Sequence, residues 1–236
     1  GQGQSLEKLD FKYYSLSNAS SNKLEIRDSN GLRARREALA QPSREVSLNF
    51  FHVAPNLVTL HEHDLKASEQ YDMLALRLIS GTTERVFKRV LVTSAQKGEG
   101  RTSVLLNLAG ALSKAGKRVL VVDRRDLPPG AAIVRVLPAG FHILPTRERV
   151  DNAVEILTSP VFQEMLEILD PEYDFILFDS PPLLERADCT MLIRLVDTAL
   201  IVIRQCQTRI AQMANAIGLL SEEDIFGVVL NRIMNK

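Results

Sequence analysis

What this chain has little of narrows it first. It carries no excess of either charge, since Lys plus Arg and Asp plus Glu both total 29. A broad nucleic-acid surface or a face for anionic lipid is therefore not expected. No stretch approaches the roughly 18 consecutive apolar residues that cross a bilayer, and no secretory leader pattern opens the chain. Cysteine is scarce: Cys189 and Cys206 are the two present. Both lie in apolar surroundings without metal-ligand spacing, and read as small core residues in a reducing compartment. There are no internal repeats. These absences point to a cytoplasmic protein of ordinary globular composition, 45% apolar and 25% charged over 236 residues. That length suffices for one α/β domain with an appendage.

Composition divides the chain near residue 50. Residues 1–50 are rich in Ser, Asn, Lys, Arg and Gln, as in Ser15-Leu16-Ser17-Asn18-Ala19-Ser20-Ser21-Asn22. No helical or alternating period persists there, so this part reads as a flexible N-terminal arm, with Arg33, Arg35 and Arg36 on a solvated face. Residues 51–236 form the second unit, a regular succession of apolar runs and helical patterns. Leu57–Leu60 reads as a short strand, and Leu65 to about Glu84 as a helix with Ala67, Tyr71, Leu74 and Leu78 on one face. Strands follow at 89–95, 118–122, 141–144, 173–178, 198–203 and 226–230. The helices expected between them are 102–115, 151–158, 160–169, 185–195 and 208–220, the first stopped by Gly116. Continuous apolar strands separated by helices predict an α/β fold: a doubly wound, mostly parallel sheet with helices on both faces.

The most informative stretch is Ser94-Ala95-Gln96-Lys97-Gly98-Glu99-Gly100-Arg101-Thr102-Ser103. It lies between an expected strand and an expected helix, the context that gives a glycine-rich phosphate loop its meaning. Backbone N–H groups of such a loop, backed by a helix N-terminus, cradle nucleotide phosphates. Gly98, Glu99, Gly100, Arg101, Thr102 and Ser103 are therefore the candidate phosphate-binding residues, and the Thr102 hydroxyl is placed to ligate Mg²⁺. Arg101 stands where the pattern calls for lysine.

Ligand groups of a parallel α/β sheet collect beyond the carboxyl ends of its strands. Two further strands end in aspartate: Leu120-Val121-Val122 runs into Asp123, and Phe175-Ile176-Leu177-Phe178 into Asp179. Either aspartate alone would read as a helix cap. Together with the loop they describe a Mg²⁺-nucleotide site, with Asp179 in the Walker B position and Asp123 beside the reacting groups. His61 and His63 alternate along the expected strand, but without a third ligand they read as an exposed edge rather than a metal pair.

At this point a resemblance becomes specific. The segment Asp174-Phe175-Ile176-Leu177-Phe178-Asp179-Ser180-Pro181-Pro182-Leu183-Leu184-Glu185-Arg186-Ala187-Asp188 resembles the Walker B region of the bacterial tyrosine kinases (BY-kinases). These are P-loop relatives of the Min and Par ATPases. Val121-Val122-Asp123-Arg124-Arg125 resembles the family's Walker A′ motif. The stretch with Ala67-Ser68-Glu69-Gln70-Tyr71 resembles its helix before the loop. Val202-Ile203-Arg204 with Thr208-Arg209, and Gly227-Val228-Val229-Leu230-Asn231-Arg232, resemble its closing strands. The similarity covers residues 55–234.

The resemblance implies Mg-ATP as cofactor and a role in capsule or exopolysaccharide synthesis or export. Thr102 and Asp179 would manage the metal, Asp123 would help activate a tyrosine hydroxyl, and Asn231 either reads adenine or serves as a turn residue. It also implies partners: a membrane-embedded polysaccharide co-polymerase or activator, an active kinase paralogue, or further copies of the chain. The protein would be cytoplasmic, and peripheral at the inner membrane through such a partner.

Departures from the family pattern point to a degenerate member. Arg101 replaces a compact ammonium with a planar fork, which is not a conservative exchange at a phosphate site. Arg125 occupies the second Walker A′ aspartate position unless Asp126 slides in. The segment between Asp123 and Asp179 is short for the family. The assembly pattern on the first helix reads Glu69, Asp72 and Ala75, and a tyrosine-rich tail is missing. The expectation is thus a pseudokinase or very weak kinase acting as a regulatory binding module, with an active tyrosine kinase as the alternative. A Par/Min-type ATPase is the further alternative, opposed by Gln96 where a second lysine belongs.

Overall fold

The computed structural model describes residues 44–47, 57–60, 65–81, 85–123, 133–145, 160–185 and 187–231. Eight strands form one sheet: β1 (Arg44–Ser47), β2 (Arg89–Ser94), β3 (Val119–Asp123), β4 (Val134–Leu137), β5 (His142–Pro145), β6 (Phe175–Asp179), β7 (Thr198–Arg204) and β8 (Ile225–Asn231). Their spatial order is β1-β4-β5-β3-β6-β2-β7-β8. All neighbouring pairs are parallel except β4 with β5. Among the described residues, four α-helices accompany the sheet: α1 (Leu65–Ser80), α2 (Arg101–Lys114), α3 (Pro160–Leu169) and α4 (Ile210–Ile217).

The central strands read as unbroken apolar runs because both sheet faces are covered. Val90, Val92, Val119, Val121, Phe175, Leu177, Leu200 and Val202 face a core completed by Leu78 of α1 and by Val104, Leu105, Leu108 and Leu112 of α2. The alternate residues Leu91, Leu120, Val122, Ile176, Phe178 and Ala199 face a second core with Phe162, Leu166 and Leu169 of α3. The α/β doubly wound class is therefore the observed one, with the period-2 alternation dividing each strand between two cores.

Helix α1 packs as expected: Leu78 is buried, Tyr71 and Leu74 are partly buried against the first core. Asn107 of α2 ties the segment before α1 to this layer. Its Oδ1 accepts the Thr59 N–H at 3.2 Å and the Thr59 hydroxyl at 3.2 Å, while its Nδ2 donates to the Ser103 carbonyl at 2.8 Å.

Several expectations are corrected. Val58–Leu60 forms a 3-10 turn rather than a strand, because Thr59 spends its backbone N–H on the Asn107 side chain instead of a ladder. The helix expected over 185–195 is present over Ala187–Leu195, where it is of the 3-10 type. Residues 134–137 form a strand that was not anticipated, and 44–47, within the stretch read as an arm, pair with it at the sheet edge. Cys189 is buried, but Cys206 is exposed with a φ of 60°. The apolar strand preceding Cys206 had placed it in the core; it sits instead in the turn leaving β7. Ala75 of α1 is buried, so the third position of the assembly pattern faces the core rather than solvent. Residues 1–43, His61, His63, Arg124, Arg125, Asp126 and 151–158 lie outside the described residues.

Candidate functional site

The loop after β2 sits near the centre of the sheet, between the ends of β6 and β7, with the end of β3 one strand further. This topology gathers the expected residues at one sheet edge. Helix α2 starts at Arg101, with Gly100 as its N-terminal cap residue in the left-handed region at φ 90°. Gly100 has a second reason to be glycine: a Cβ there would lie 2.1 Å from Asn231 Nδ2. Gly98 is also left-handed, at φ 85°, but a Cβ on it would meet open space.

The two residues expected to handle a metal are brought together. Thr102, one residue inside α2, donates its hydroxyl proton to Asp179 Oδ2 at 2.8 Å, and Asp179 ends β6. Asp123 ends β3 and is buried. These residues fit Mg²⁺: a hydroxyl and a carboxylate meeting beside a loop with left-handed glycines is the donor set a hard cation accepts.

Arg101 reaches toward the strand that ends in Asp179. Its Nη1 donates to the carbonyl of Ser180, the residue after Asp179. The planar fork reaches across to the backbone leaving β6, a contact that a lysine's point charge would not fix in the same plane.

The loop is braced from three sides. Asn231 Nδ2 donates to the Glu99 carbonyl at 2.9 Å, and Arg204 Nη1 to the Gly98 carbonyl at 3.3 Å. Glu99, 1% exposed, accepts the Gln96 N–H on Oε2 at 2.9 Å and the Thr208 hydroxyl on Oε1. Two carbonyls of the loop are thus held by side chains from the ends of β7 and β8, in the kind of glycine-rich loop whose peptide N–H groups can form an anion-binding nest. Glu99 thus sits in the site as a brace, and Asn231 rests on the loop itself. Ser103 presents its carbonyl to Asn107 within α2.

The turn after β6 closes the front of the loop. Leu183 N–H donates to the Ser94 carbonyl at 2.8 Å and Leu184 N–H to Ala95 at 3.3 Å. The Glu185 carboxylate accepts the Lys97 N–H at 2.9 Å. Sequence reasoning missed the roles of Glu185, Arg204, Thr208 and Ser180. Only the acidic residue inside the loop's Gly98-Glu99-Gly100 gave a local signal; the others reach the loop from far along the chain. Among the described residues there is no group of three His, Cys, Asp or Glu placed to hold a metal without added oxygen ligands. No described helix is long and apolar enough to cross a membrane.

No family model matches the chain. It is similar to the tyrosine-protein kinase YwqD of Bacillus subtilis, 27% identical over 202 residues, covering 75% of this chain and 85% of that one. The tyrosine-protein kinase CpsD of Streptococcus pneumoniae is 23% identical over 198 residues, 71% and 85% of the two chains. The tyrosine-protein kinase wzc of Salmonella typhi is 25% identical over 173 residues, 62% of this chain but 24% of that longer protein. The chain thus spans most of some relatives and about a quarter of others. Among solved structures, the chimerical protein CapA2B2 superposes with a TM-score of 0.70 at 20% identity, over 77% of this chain and 91% of its own. The kinase domain of the Escherichia coli tyrosine kinase ETK gives 0.62 at 20%, over 76% and 82%. The shared fold is the P-loop fold that the loop, the strand order and the paired aspartates had already described. In sequence the chain is similar to bacterial tyrosine-protein kinases, and in fold to the kinase domain of one of them.

Proposed function

We propose that this chain is a Mg-nucleotide-binding domain of the tyrosine-kinase type whose phosphoryl transfer is very weak or lost, and which acts in capsule or exopolysaccharide synthesis or export as a regulatory binding module. Its partner would be a membrane-embedded polysaccharide co-polymerase or an active kinase paralogue. Mg-ATP, when bound, supplies the phosphoryl group that a tyrosine oxygen accepts as ADP leaves. Thr102 and Asp179 would hold the metal, the loop 98–103 would bind phosphate oxygens through its N–H groups, and Asp123 would take the tyrosine proton.

The observation that carries this reading is Arg101. Its guanidinium is engaged by the Ser180 carbonyl, so the cation that should follow the developing charge is anchored to backbone. Phosphoryl transfer depends on charge placed where the transition state needs it, and displacing one such group costs about two to three decades in rate, ~3–4 kcal/mol. A second reading, an active tyrosine kinase, is favoured by the intact Thr102–Asp179 pair.

The deciding experiment compares wild type, Arg101→Lys and the double variant Arg101→Lys/Arg125→Asp for Mg-ATP binding and for phosphate transfer to tyrosine. The proposal expects wild-type transfer near background and a gain in affinity and transfer in the variants. Wild-type transfer at a rate that Arg101→Lys leaves unchanged would establish the active-kinase reading instead.

A further inference from the structure

We propose that Glu185 is a specificity-determining residue of this site: it guards the front of the phosphate loop against the outermost phosphate of a nucleoside triphosphate, so that the loop favours the diphosphate. This rests on the reading of residues 94–103 as a Mg-nucleotide site.

The observation is a carboxylate on a loop donor. The N–H of Lys97 is held by Glu185 Oε1 at 2.9 Å. Main-chain N–H groups of this loop are the donors an anion would use, and here one of them already serves an anion belonging to the protein. The contact is built rather than incidental. Pro181, Pro182 and Leu183 are buried, Leu183 and Leu184 are bonded to the carbonyls of Ser94 and Ala95, and Glu185 N–H closes on the Pro182 carbonyl at 3.3 Å. The turn is therefore laced to the start of the loop, and Glu185 has a short, fixed reach to Lys97.

Its neighbour in the loop marks the contrast. Glu99 also accepts a loop N–H, that of Gln96, but it is buried and bonded to Thr208, and so is a fixed part of the loop. Glu185 is exposed, and a competing anion can displace it. It also comes from the side that matters. Asp179, which would hold the metal in the proposed site, leads directly into the turn that carries Glu185. In the proposed site a diphosphate would lie against the N-terminus of α2, and a third phosphate would bring its charge toward this carboxylate. Like charges at this separation repel, and added salt weakens the repulsion.

Calorimetric titration of wild type, Glu185→Gln and Glu185→Ala with Mg-ATP and Mg-ADP at low salt tests this, with thermal unfolding to verify each fold. Glutamine keeps an oxygen for the Lys97 N–H and removes the charge; alanine removes both. Both variants should bind Mg-ATP about tenfold tighter, with Mg-ADP changing less than about threefold. The wild-type preference for ADP should shrink as salt rises. An ATP-to-ADP affinity ratio equal in all three folded proteins would overturn the role of Glu185 while leaving the nucleotide site standing. If neither nucleotide binds any of them, nor a Glu185→Gln protein that also carries Arg101→Lys, both this inference and the reading beneath it fall.

Discussion

The hydroxyl of Thr102 and the carboxylate of Asp179, 77 residues apart in sequence, meet at 2.8 Å where the first turn of α2 faces the end of β6. Under the proposed reading, the hydrogen bond holds two oxygens close enough for both to face one cation. Thr102→Val removes the hydroxyl while keeping the shape, and Asp179→Ala removes the carboxylate. Each should abolish the magnesium dependence of nucleotide binding, with a loss of about ten- to a hundredfold in affinity for the Mg complex. Titrations with and without Mg²⁺ measure it. A variant that still binds more tightly with magnesium would show that the metal is held elsewhere.

Gly100 and Asn231 make a second prediction. Gly100→Ala combines a left-handed φ of 90° with a Cβ placed 2.1 Å from the Asn231 amide nitrogen. The backbone term alone costs about 1–2 kcal/mol, and the clash adds to it because Asn231 is also bonded to the Glu99 carbonyl. Gly98→Ala, with a similar φ and open space around the new methyl, should show the backbone term by itself. Urea unfolding should therefore rank Gly100→Ala as the more destabilised, and Asn231→Ala should recover part of the Gly100→Ala loss in the double variant. Equal costs at the two glycines would mean that the loop relaxes away from Asn231.

Much of this arrangement was legible in the sequence, and the limits have physical causes. The central strands were readable because burial on both faces leaves no polar positions, and each of the two aspartates that end such runs stands at a strand's carboxyl end. The strand 134–137 escaped notice because its exposed Arg135 interrupts a run of only four residues. Val58–Leu60 has strand composition, but the side chain of Asn107, 48 residues from Thr59, captures its backbone. The bracing of the phosphate loop by Arg204, Thr208 and Asn231 depends on the β7 and β8 ends lying beside β2, a fact of strand order that no local pattern carries. Glu185 is the extreme case. Its proximity to Lys97 is settled by the course of the turn after β6, and an isolated glutamate in a sequence reads only as surface.

A pH experiment follows from Tyr71. Burial pushes its phenol up from 10.0 to about 12, with the hydrogen bond to Asn107 pulling the other way. Because the folded value lies above the unfolded one, the protonated phenol supports the fold fully below about pH 10. That support is lost as pH rises through the folded value near 12. Tyr71→Phe, which cannot ionise, should lower stability near neutrality by about 1 kcal/mol through the lost hydrogen bond, yet flatten the decline between pH 10 and 12. Chemical unfolding across that window reads the slope. An unchanged slope would place the alkaline loss on other groups, Tyr173 among them, whose phenol is also raised by burial and then by the nearby Glu172.

A prediction for mildly acidic pH concerns His142, at the start of β5. Its Nδ1 lies 2.8 Å from the Tyr173 hydroxyl, and the two rings meet edge to face with centroids 5.6 Å apart. Burial, followed by the positive charge of Arg135, holds the imidazole below its ordinary value of 6.5. A group whose folded value is depressed contributes stability above its unfolded value and loses it as pH falls through the folded one. The unfolded chain takes up its proton first, so stability should begin to fall below about pH 6.5 and continue to fall until the folded imidazole also protonates. His142→Gln keeps a polar partner for Tyr173 and cannot titrate in this range. Melting temperatures measured between pH 7.5 and 5 should therefore converge: the wild type starts higher and declines more steeply than the variant. Parallel curves would show that the imidazole takes up its proton equally in the folded and unfolded states, and that the cavity of about 460 Å³ bounded by Lys117, Arg135, His142 and Tyr173 admits enough water to solvate it.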